Sequence, residues 1–471
     1  MSRGGSTGSE PSQQRSTQAL EVMLDPARSR RAAARRPDTV WWVLTRHDLR
    51  SLDQSYQDAL PRPLGETGAH LAAVRQIIGE VQRRGDEALC ELGERFDGSR
   101  PDPLRIIAQN LAAAVTRVDP HVVASLRAAA ESIESFHRSA GNPAHAHEHR
   151  GMRVEAVSQP VDRAGCYVPG GRAAYPSTVL MTVVPARAAQ VPEVVVCVPP
   201  GADGKVADVT LAAASIAGVD ELYAVGGAQA IAAMAYGTET IRPVDVIVGP
   251  GNVYVSLAKR EVAGVVGVPS AFAGPSEICV VADGSVDPRY VAIDLLVQAE
   301  HGPDGLSWLI VVDDHVLAAV ESAMADLLQR APRRSEIEST LASGGHVALV
   351  RDWTQAIDVA NWIAPEHLQL MTKNAAELVG RVRHAGAVFV GPLAPAVMGD
   401  YIAGPSHVLP TNGSARFAGA LGIQDFTKQI HVVSLDEAAM RWAGPHVEAL
   451  ATAEGLDAHA ESVRLRLRDF P

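Results

Sequence analysis

The distribution of apolar residues divides the chain into two kinds of segment. Residues 69–96 and 111–137 carry apolar side chains at three- and four-residue spacing with charges between them, which predicts helices. From Arg153 onward, short β-branched runs alternate with Ala-rich stretches of helical length. This alternation predicts right-handed βαβ units and mostly parallel sheets.

The β–α alternation occurs in two series. In the first, the predicted strands are 193–198, 221–225 and 244–248, and the predicted helices are 206–217, 228–236 and 252–263. The second has predicted strands at 278–282, 308–312, 346–350, 369–371 and 387–390. Two series imply two α/β modules. Residues 456–467 predict an amphipathic C-terminal helix that belongs to neither module.

Composition narrows the class of protein. Aromatic residues make up 4% of the chain and hydrophobic residues 47%, which suits the buried strands of parallel sheets covered by Ala-rich helices. A net charge of −12 argues against nucleic acid as a partner. The four cysteines form no CxxC pair, which indicates reduced thiols in a cytoplasmic protein. No apolar run of about 18 residues predicts a membrane helix, and no secretory signal is present.

The first 42 residues differ from the rest of the chain. They are rich in Ser, Gly, Gln and Arg, so we expect a disordered extension there. An organellar transit peptide is the alternative, although the acidic residues in this segment count against it. Residues 43–46 are expected to begin the folded protein.

Dinucleotide binding is an obvious possibility for this architecture, but the G-x-G-x-x-G fingerprint is missing. Gly249-Pro250-Gly251 supplies two glycines, and Tyr254 occupies the third position. Glycine-rich strand ends at 168–171, 226–227 and 249–251 could present backbone N–H groups to an anion at a helix start. Each one is more often a simple turn, so the motifs alone do not establish NAD binding.

Two short motifs could supply a metal site or an acid–base pair. Gln298 and His301 are three residues apart in a helix expected to end near Gly302, so both could ligate a cation from its last turn. The alternative is a histidine favoured by the helix dipole. Glu366 and His367 are neighbours before a predicted strand; they suit proton transfer in a cleft, or else form a solvated turn.

The C-terminal third contains further candidates. The segment 404–416 is a long loop of Gly, Pro, Ser and Thr that contains His407 and follows Asp400, and such loops are typical of binding-site walls. Near the start of the C-terminal helix, Glu454 and His459 accompany Asp457, which suits a helix cap.

These segments together resemble histidinol dehydrogenases, in register from about Leu44 to Leu467. The strongest matching motifs are Gly165–Gly171, Val248–Asn252, Ala273–Glu277, Gln298–Asp304, Ala364–Leu368 and His407–Thr411. The resemblance implies oxidation of L-histidinol to L-histidine through L-histidinal with two NAD⁺, at the end of histidine biosynthesis. It also implies two incomplete Rossmann-like α/β domains with parallel sheets, and small terminal helical segments used in dimerisation.

The resemblance implies site residues as well. One zinc ion per subunit would be bound by Gln298, His301, Asp400 and His459, with His459 supplied by the partner in a homodimer. His367 would take the hydroxyl proton, and Glu366 would activate water. Substrate contacts would come from Ser276, Gln298, His301, His367, Asp400, Glu454 and His459, and NAD contacts from Tyr167, Gln229 and Asn252.

The resemblance also implies a domain organisation. Residues 43–64 would form an N-terminal arm, 65–166 with 276–421 a discontinuous substrate and zinc domain, and 167–275 the NAD domain. Residues 422–471 would form a C-terminal segment exchanged within the dimer. Two alternatives remain: a zinc hydrolase that uses Glu366 to activate water, and a catalytically silent metal-binding relative.

Overall fold

The computed structural model describes residues 44–53, 55–61, 68–141, 145–170, 173–270, 276–302 and 304–469. The predicted disordered extension, residues 1–42, lies outside the described residues. Gly171 and residues 273–275, which belong to two of the motifs above, lie outside them as well.

Six strands of the described chain form a wholly parallel sheet in the order β1-β11-β10-β9-β12-β13. Their bounds are β1 Thr45–Asp48, β9 Glu277–Ala282, β10 Leu306–Val311, β11 Gly345–Leu349, β12 His367–Met371 and β13 Ala387–Val390. The inner strands β9 to β12 are almost entirely buried, as a parallel sheet covered by helices requires. The helices of this part of the chain are α9 Pro288–Ala299, α10 Asp314–Leu328, α11 Arg334–Gly344, α12 Trp353–Ile363, α13 Ala375–Val379 and α14 Ala396–Tyr401.

A second sheet, of five strands among the described residues, has the order β2-β7-β6-β5-β8. Its bounds are β2 Arg105–Ile106, β5 Arg163–Tyr167, β6 Glu193–Cys197, β7 Glu221–Tyr223 and β8 Val246–Val248. All neighbours are parallel except β2 and β7. The parallel strands β7-β6-β5-β8 have the order of the first four strands of a Rossmann fold, which confirms the predicted incomplete Rossmann-like module.

Helices surround the second sheet. Those that alternate with its strands are α5 Pro176–Ala188, α6 Asp208–Ala217, α7 Gly227–Tyr236 and α8 Val253–Val262. Four earlier helices precede them in the chain, namely α1 Gly68–Arg84, α2 Asp86–Asp97, α3 Ala108–Arg117 and α4 Pro120–Ala140. Helix α1 packs against α7 and α8, whereas α3 and α4 pack against α5 and α6.

The predicted long helices are each two helices in the structure. Residues 69–96 divide at Gly85, whose positive φ of 51° interrupts the helix. Residues 111–137 divide before Pro120, where the Asp119 side chain accepts a hydrogen bond from the His121 N–H and caps helix α4. The apolar spacing continues across both breaks, so periodicity alone could not reveal them.

A third sheet of antiparallel strands was not predicted. It contains β3 His145–His149, β4 Met152–Pro160 and β14 Thr427–Leu435 in the order β14-β4-β3. Strand β14 leads into helices α15 Glu437–Ala453 and α16 Asp457–Asp469, which pack against each other. Helix α16 corresponds to the predicted C-terminal helix. Strands β3 and β14 are exposed along most of their length, so neither has the alternating burial that identifies a strand in a sequence.

Sheet membership groups some residues differently from the predicted domains. Helices α1 to α4 and strand β5 belong with the second sheet, although the prediction assigned residues 65–166 to the domain of the first sheet. Contacts join the described residues into one compact unit. The division into a substrate domain and an NAD domain therefore stays a prediction.

Two predictions from composition concern cysteines and membrane helices. The four cysteines are free thiols, and Cys166, Cys197 and Cys279 are buried. This confirms that no disulfide framework is present among them. In the described part of the chain, no helix combines the length and apolarity needed to cross a bilayer.

Candidate active site

Two adjacent side chains suited to acid–base chemistry, Glu366 and His367, lie at the amino end of strand β12. Helix α12 is followed by Ala364, whose left-handed backbone (φ 53°) turns the chain into the strand. Glu366 is 6% exposed and His367 is 2% exposed. The alternative of a solvated turn is therefore wrong, and the pair is placed where proton transfer can occur away from bulk water.

The backbone of Glu277, at the start of the neighbouring strand β9, contacts both side chains. Its N–H donates a hydrogen bond to Oε2 of Glu366 at 2.8 Å, and its carbonyl oxygen lies 3.0 Å from Nδ1 of His367. Because a carbonyl oxygen can only accept, the proton of a neutral His367 ring is held on Nδ1. The other nitrogen, Nε2, lies 3.3 Å from Oδ1 of Asp400.

Nearby charges determine the protonation of His367 and Asp400. Burial lowers the pKa of His367, but the carboxylates of Glu366 and Asp400 outweigh it and hold the pKa well above its usual value. Burial raises the pKa of Asp400, and the rings of His367, His407 and His301 reverse this effect, so the pKa is lowered overall. Asp400 is therefore ionised at neutral pH, as a carboxylate that binds a metal must be.

Gln298 and His301 lie near the carboxyl end of helix α9, in different surroundings. Gln298 is 1% exposed and belongs to the last turn; its Nε2 is 3.4 Å from Nδ1 of His367, and its Oε1 has no partner among the described residues. His301 is exposed and follows the helix, which ends at Ala299. The prediction that both lie in the last helical turn is wrong for His301, because the α-helix ends at Ala299 and the His301 N–H bonds the Gln298 carbonyl, three residues back, in a tighter turn.

The polar loop 404–416 links the site to a helix of the second sheet. Nδ1 of His407 lies 2.9 Å from the carbonyl oxygen of Asp400, and its Nε2 lies 3.2 Å from Oγ1 of Thr178 in helix α5. Burial lowers the pKa of His407, and the Asp400 charge and carbonyl do not fully offset it. The loop therefore lies beside the acid–base pair and also contacts the second sheet, as expected for a wall of the site.

Three other predicted site residues lie farther from the pair or at its edge. Ser276 precedes β9, at the same sheet edge as His367. Glu454 and His459 are exposed at the junction of helices α15 and α16. Across the described ranges, no group of three or more His, Cys, Asp or Glu side chains is arranged to hold a metal ion. One described chain therefore does not unite His459 with His301 and Asp400.

The predicted cofactor residues lie where the strands of the second sheet lead into their helices. Tyr167 ends β5, and its hydroxyl accepts a hydrogen bond from the Gly227 N–H at 3.1 Å. Gln229, in the first turn of α7, is buried, and its Nε2 has no partner in the described chain. Asn252 caps helix α8 by accepting a hydrogen bond from the Val255 N–H at 3.1 Å. Ligands of open α/β sheets bind at this edge.

A cleft of about 450 Å³ opens beside the carboxyl ends of β5 and β6. Its lining includes Pro169, Gly170, Val198, Pro199 and Lys205. Next to this edge, Gly249 has a φ of 111°, and a Cβ atom there would lie 2.1 Å from the carbonyl oxygen of Tyr167. Glycine is therefore required at this position for the β8–α8 turn to approach β5.

Comparison with known proteins identifies the family. A family model described as histidinol dehydrogenase matches residues 61–467. The chain belongs to the histidinol dehydrogenase family. It is therefore an oxidoreductase, and the alternative of a zinc hydrolase finds no support.

Individual relatives show the same similarity over most of their length. The chain is 48% identical to a histidinol dehydrogenase of Synechococcus sp. over 400 residues, which is 84% of this chain and 92% of that protein. With a histidinol dehydrogenase of Methanothermobacter thermautotrophicus the identity is 44%, over 85% of this chain and 94% of the relative. The crystal structure of histidinol dehydrogenase from Elizabethkingia anophelis superposes with a TM-score of 0.86 at 31% identity, covering 92% of this chain and 99% of that one.

Sequence reasoning assigned no role to Glu277, Thr178 or Asn412. Glu277 belongs to one of the matching motifs and is an acidic residue directly before the buried apolar run of β9. A carboxylate at the end of such a run is costly to bury, and that cost was the available signal. Thr178 and Asn412 gave no signal, because their contacts depend on how loop 404–416 folds across both sheets.

Proposed function

We propose that the chain oxidises L-histidinol to L-histidine through L-histidinal, consuming two NAD⁺, as the final steps of histidine biosynthesis. The observation that carries the proposal is the buried Glu366–His367 pair, fixed at the start of β12 in a chain of this family. We place this chemistry in the cytoplasm, a proposal that the four free thiols support.

The first oxidation requires a base for the hydroxyl proton of histidinol. In its neutral form His367 carries its proton on Nδ1, which faces the Glu277 carbonyl, so Nε2 of that form would accept the hydroxyl proton. NAD⁺, held by Tyr167, Gln229 and Asn252, would supply the acceptor for the hydride of the carbinol carbon. Burial of His367 keeps bulk water away from this exchange.

The second oxidation requires water to add to the aldehyde. We assign Glu366 as the base that takes a proton from this water. Its Oε2 is held by the Glu277 N–H, which fixes the direction of the carboxylate. The resulting hydrate anion would transfer its hydride to a second NAD⁺ and become the carboxylic acid of histidine.

Zinc binding by Gln298, His301, Asp400 and His459 is part of the proposal. The residues present suit the ion: Gln298 has a buried Oε1 without a partner in the described chain, and Asp400 is ionised. Imidazole, carboxylate and amide ligands suit a borderline cation such as zinc. A zinc ion at Asp400 would provide a binding point for substrate. With its charge shared with the ion, the Asp400 carboxylate would stabilise protonated His367 less, and this would favour the neutral His367 that a base requires.

We further propose a homodimer in which His459 of one subunit completes the zinc site of the other. The C-terminal segment exposes a set of large apolar side chains, including Ile430, Val433, Leu450 and Leu456. Exposed apolar surface of this extent favours a partner. A second copy of the chain would cover this segment, and Glu454 and His459 would enter the site from it. The remaining substrate contacts would come from Ser276 and His367.

The NAD contacts are assigned to Tyr167, Gln229 and Asn252. We expect Gln229→Ala to raise the KM for NAD⁺ by about tenfold with little change in kcat, because the lost amide belongs to the proposed cofactor contacts and not to the acid–base pair. Steady-state kinetics with varied NAD⁺ will measure both constants. An unchanged KM would remove Gln229 from the cofactor site.

The proposed reaction is tested by incubating the purified chain with L-histidinol and NAD⁺. We expect NADH and histidine in a ratio of two to one, because each substrate molecule is oxidised twice. A zinc chelator should abolish turnover, and added zinc should restore it. If the untreated chain forms no NADH, the proposed function is wrong; if the chelator has no effect, only the zinc assignment is wrong.

A further inference from the structure

Glu277 is a buried carboxyl group that the proposed reaction leaves without a role for its side chain. It is 3% exposed and lies at the first position of β9. The parallel register pairs Ile278 with His367, so Glu277 lies beside Glu366 on the neighbouring strand. Burying a carboxyl group here costs free energy unless its oxygens are bonded, so its contacts indicate its use.

The side chain of Glu277 links strand β9, the neighbour of β12, to the polar loop 404–416. Its Oε1 accepts a hydrogen bond from the Asn412 N–H at 2.8 Å. Asn412 has a positive φ of 55°, a conformation that residues other than glycine seldom adopt. The same loop contains His407, which contacts the carbonyl oxygen of Asp400. One hydrogen bond therefore joins β9, whose first residue contacts the acid–base pair, to the loop that lies against Asp400.

The surroundings of Glu277 favour its uncharged form. Burial raises the pKa of Glu277 to about 8, and the negative charge of Glu366 adds to the rise. The N–H groups of Asn412 and Glu366 and the His367 ring lower the pKa, but they offset the rise only in part. Two adjacent buried carboxyl groups cannot both be charged without a large cost. The Glu277 carboxyl group is therefore largely uncharged at neutral pH.

We propose that Glu277 is a positioning residue whose side-chain carboxyl group holds loop 404–416 against the Glu366–His367 pair. Its backbone orients the two catalytic side chains, and its side chain fixes the loop beside Asp400 relative to them. This inference rests on the proposed function, since it assigns a role in that reaction. Position 277 then needs an acceptor oxygen and needs no charge.

Two substitutions with side chains of similar size distinguish the need for an acceptor oxygen at position 277 from the need for a negative charge there. Glu277→Gln keeps an acceptor oxygen, and we expect its kcat to lie within about threefold of that of the unaltered chain. Glu277→Met fills the same space without an acceptor; we expect its kcat to fall at least about tenfold, with the KM for NAD⁺ little changed. If Glu277→Met does not fold, Glu277→Asp replaces it, because the shorter side chain withdraws the acceptor from Asn412 and should lower kcat in the same way.

Hydrogen–deuterium exchange provides a readout that does not depend on turnover. Loss of the Asn412 N–H bond in Glu277→Met should increase exchange in peptides from loop 404–416, whereas Glu277→Gln should keep their protection. The matched control is Asp425→Leu. Asp425 also accepts a loop N–H, from Gly422 at 2.8 Å, and burial also raises its pKa, but it contacts neither Glu366 nor His367. This variant should lose thermal stability and keep its kcat.

Several results would overturn the inference. The first is a normal kcat in Glu277→Met, and the second is an equal loss of kcat in Glu277→Gln and Glu277→Met. The others are unchanged hydrogen exchange of loop 404–416 in Glu277→Met and a loss of kcat in Asp425→Leu that matches the loss in Glu277→Met. Failure of the proposed function itself is distinguishable, because the unaltered chain would then not oxidise histidinol, while the exchange experiment would still report on the Glu277–Asn412 bond.

Discussion

We expect the His367→Asn variant to lose about 10²- to 10⁴-fold in kcat with histidinol, the range typical of a removed general base. Asparagine can still donate to the Glu277 carbonyl that Nδ1 of His367 contacts, but it offers no basic nitrogen in place of Nε2. Zinc content should remain normal, because His367 is not among the proposed ligands. Steady-state kinetics and metal analysis of the purified variant will check both expectations.

The matched control for this variant is His346→Asn. His346 is also a buried histidine of the six-stranded sheet, where its ring stacks on Trp308 at a centroid distance of 4.3 Å. It lies on β11, away from the acid–base pair, so its loss should lower stability and leave kcat nearly unchanged. Full activity of His367→Asn would refute the proposed role of His367.

The parallel sheets could be predicted because their inner strands are buried on both faces. A strand such as β6 or β9 then contains a short, continuous apolar run, which can be recognised in the sequence. The ribbon of β4 and β14 could not be predicted in the same way. Most of β14 is exposed, so packing against a core does not determine which residue types occur at positions 427–435.

The site was predicted less completely than the fold. Residue chemistry singled out Glu366 and His367 but left a solvated turn equally possible, and burial decided between the two. The contacts of Glu277 depend on the register of β9 against β12, and register is a property of the folded sheet. No local pattern could therefore connect position 277 with positions 366 and 412.

The proposed zinc ligands could be predicted from local sequence patterns only in part. The local pattern offered only Gln298 and His301, and the family resemblance alone added Asp400 and His459. In the described chain, His459 lies on an exposed helix, apart from the other proposed ligands. A site completed by a second subunit is a property of an assembly, which neither a local motif nor a single chain contains.

The shared site predicts complementation between two inactive variants. We expect His459→Asn to lose bound zinc and at least about 100-fold in activity, since even indirect partners of a metal ligand typically contribute 10–100-fold. Mixed dimers of His459→Asn and His367→Asn would contain one site that lacks both histidines and one intact site. An equal mixture that forms dimers at random should therefore recover about a quarter of the unaltered activity.

The control mixture combines His367→Asn with Glu366→Gln. These two residues are neighbours in one chain, so every site of a mixed dimer lacks one of them, and no activity should return. Subunits labelled with different affinity tags allow the mixed dimers to be purified and their zinc and kcat to be measured. If purified mixed dimers of His459→Asn and His367→Asn stay inactive while their subunits remain folded and associated, then His459 acts within its own chain or outside the zinc site, and the shared site is wrong.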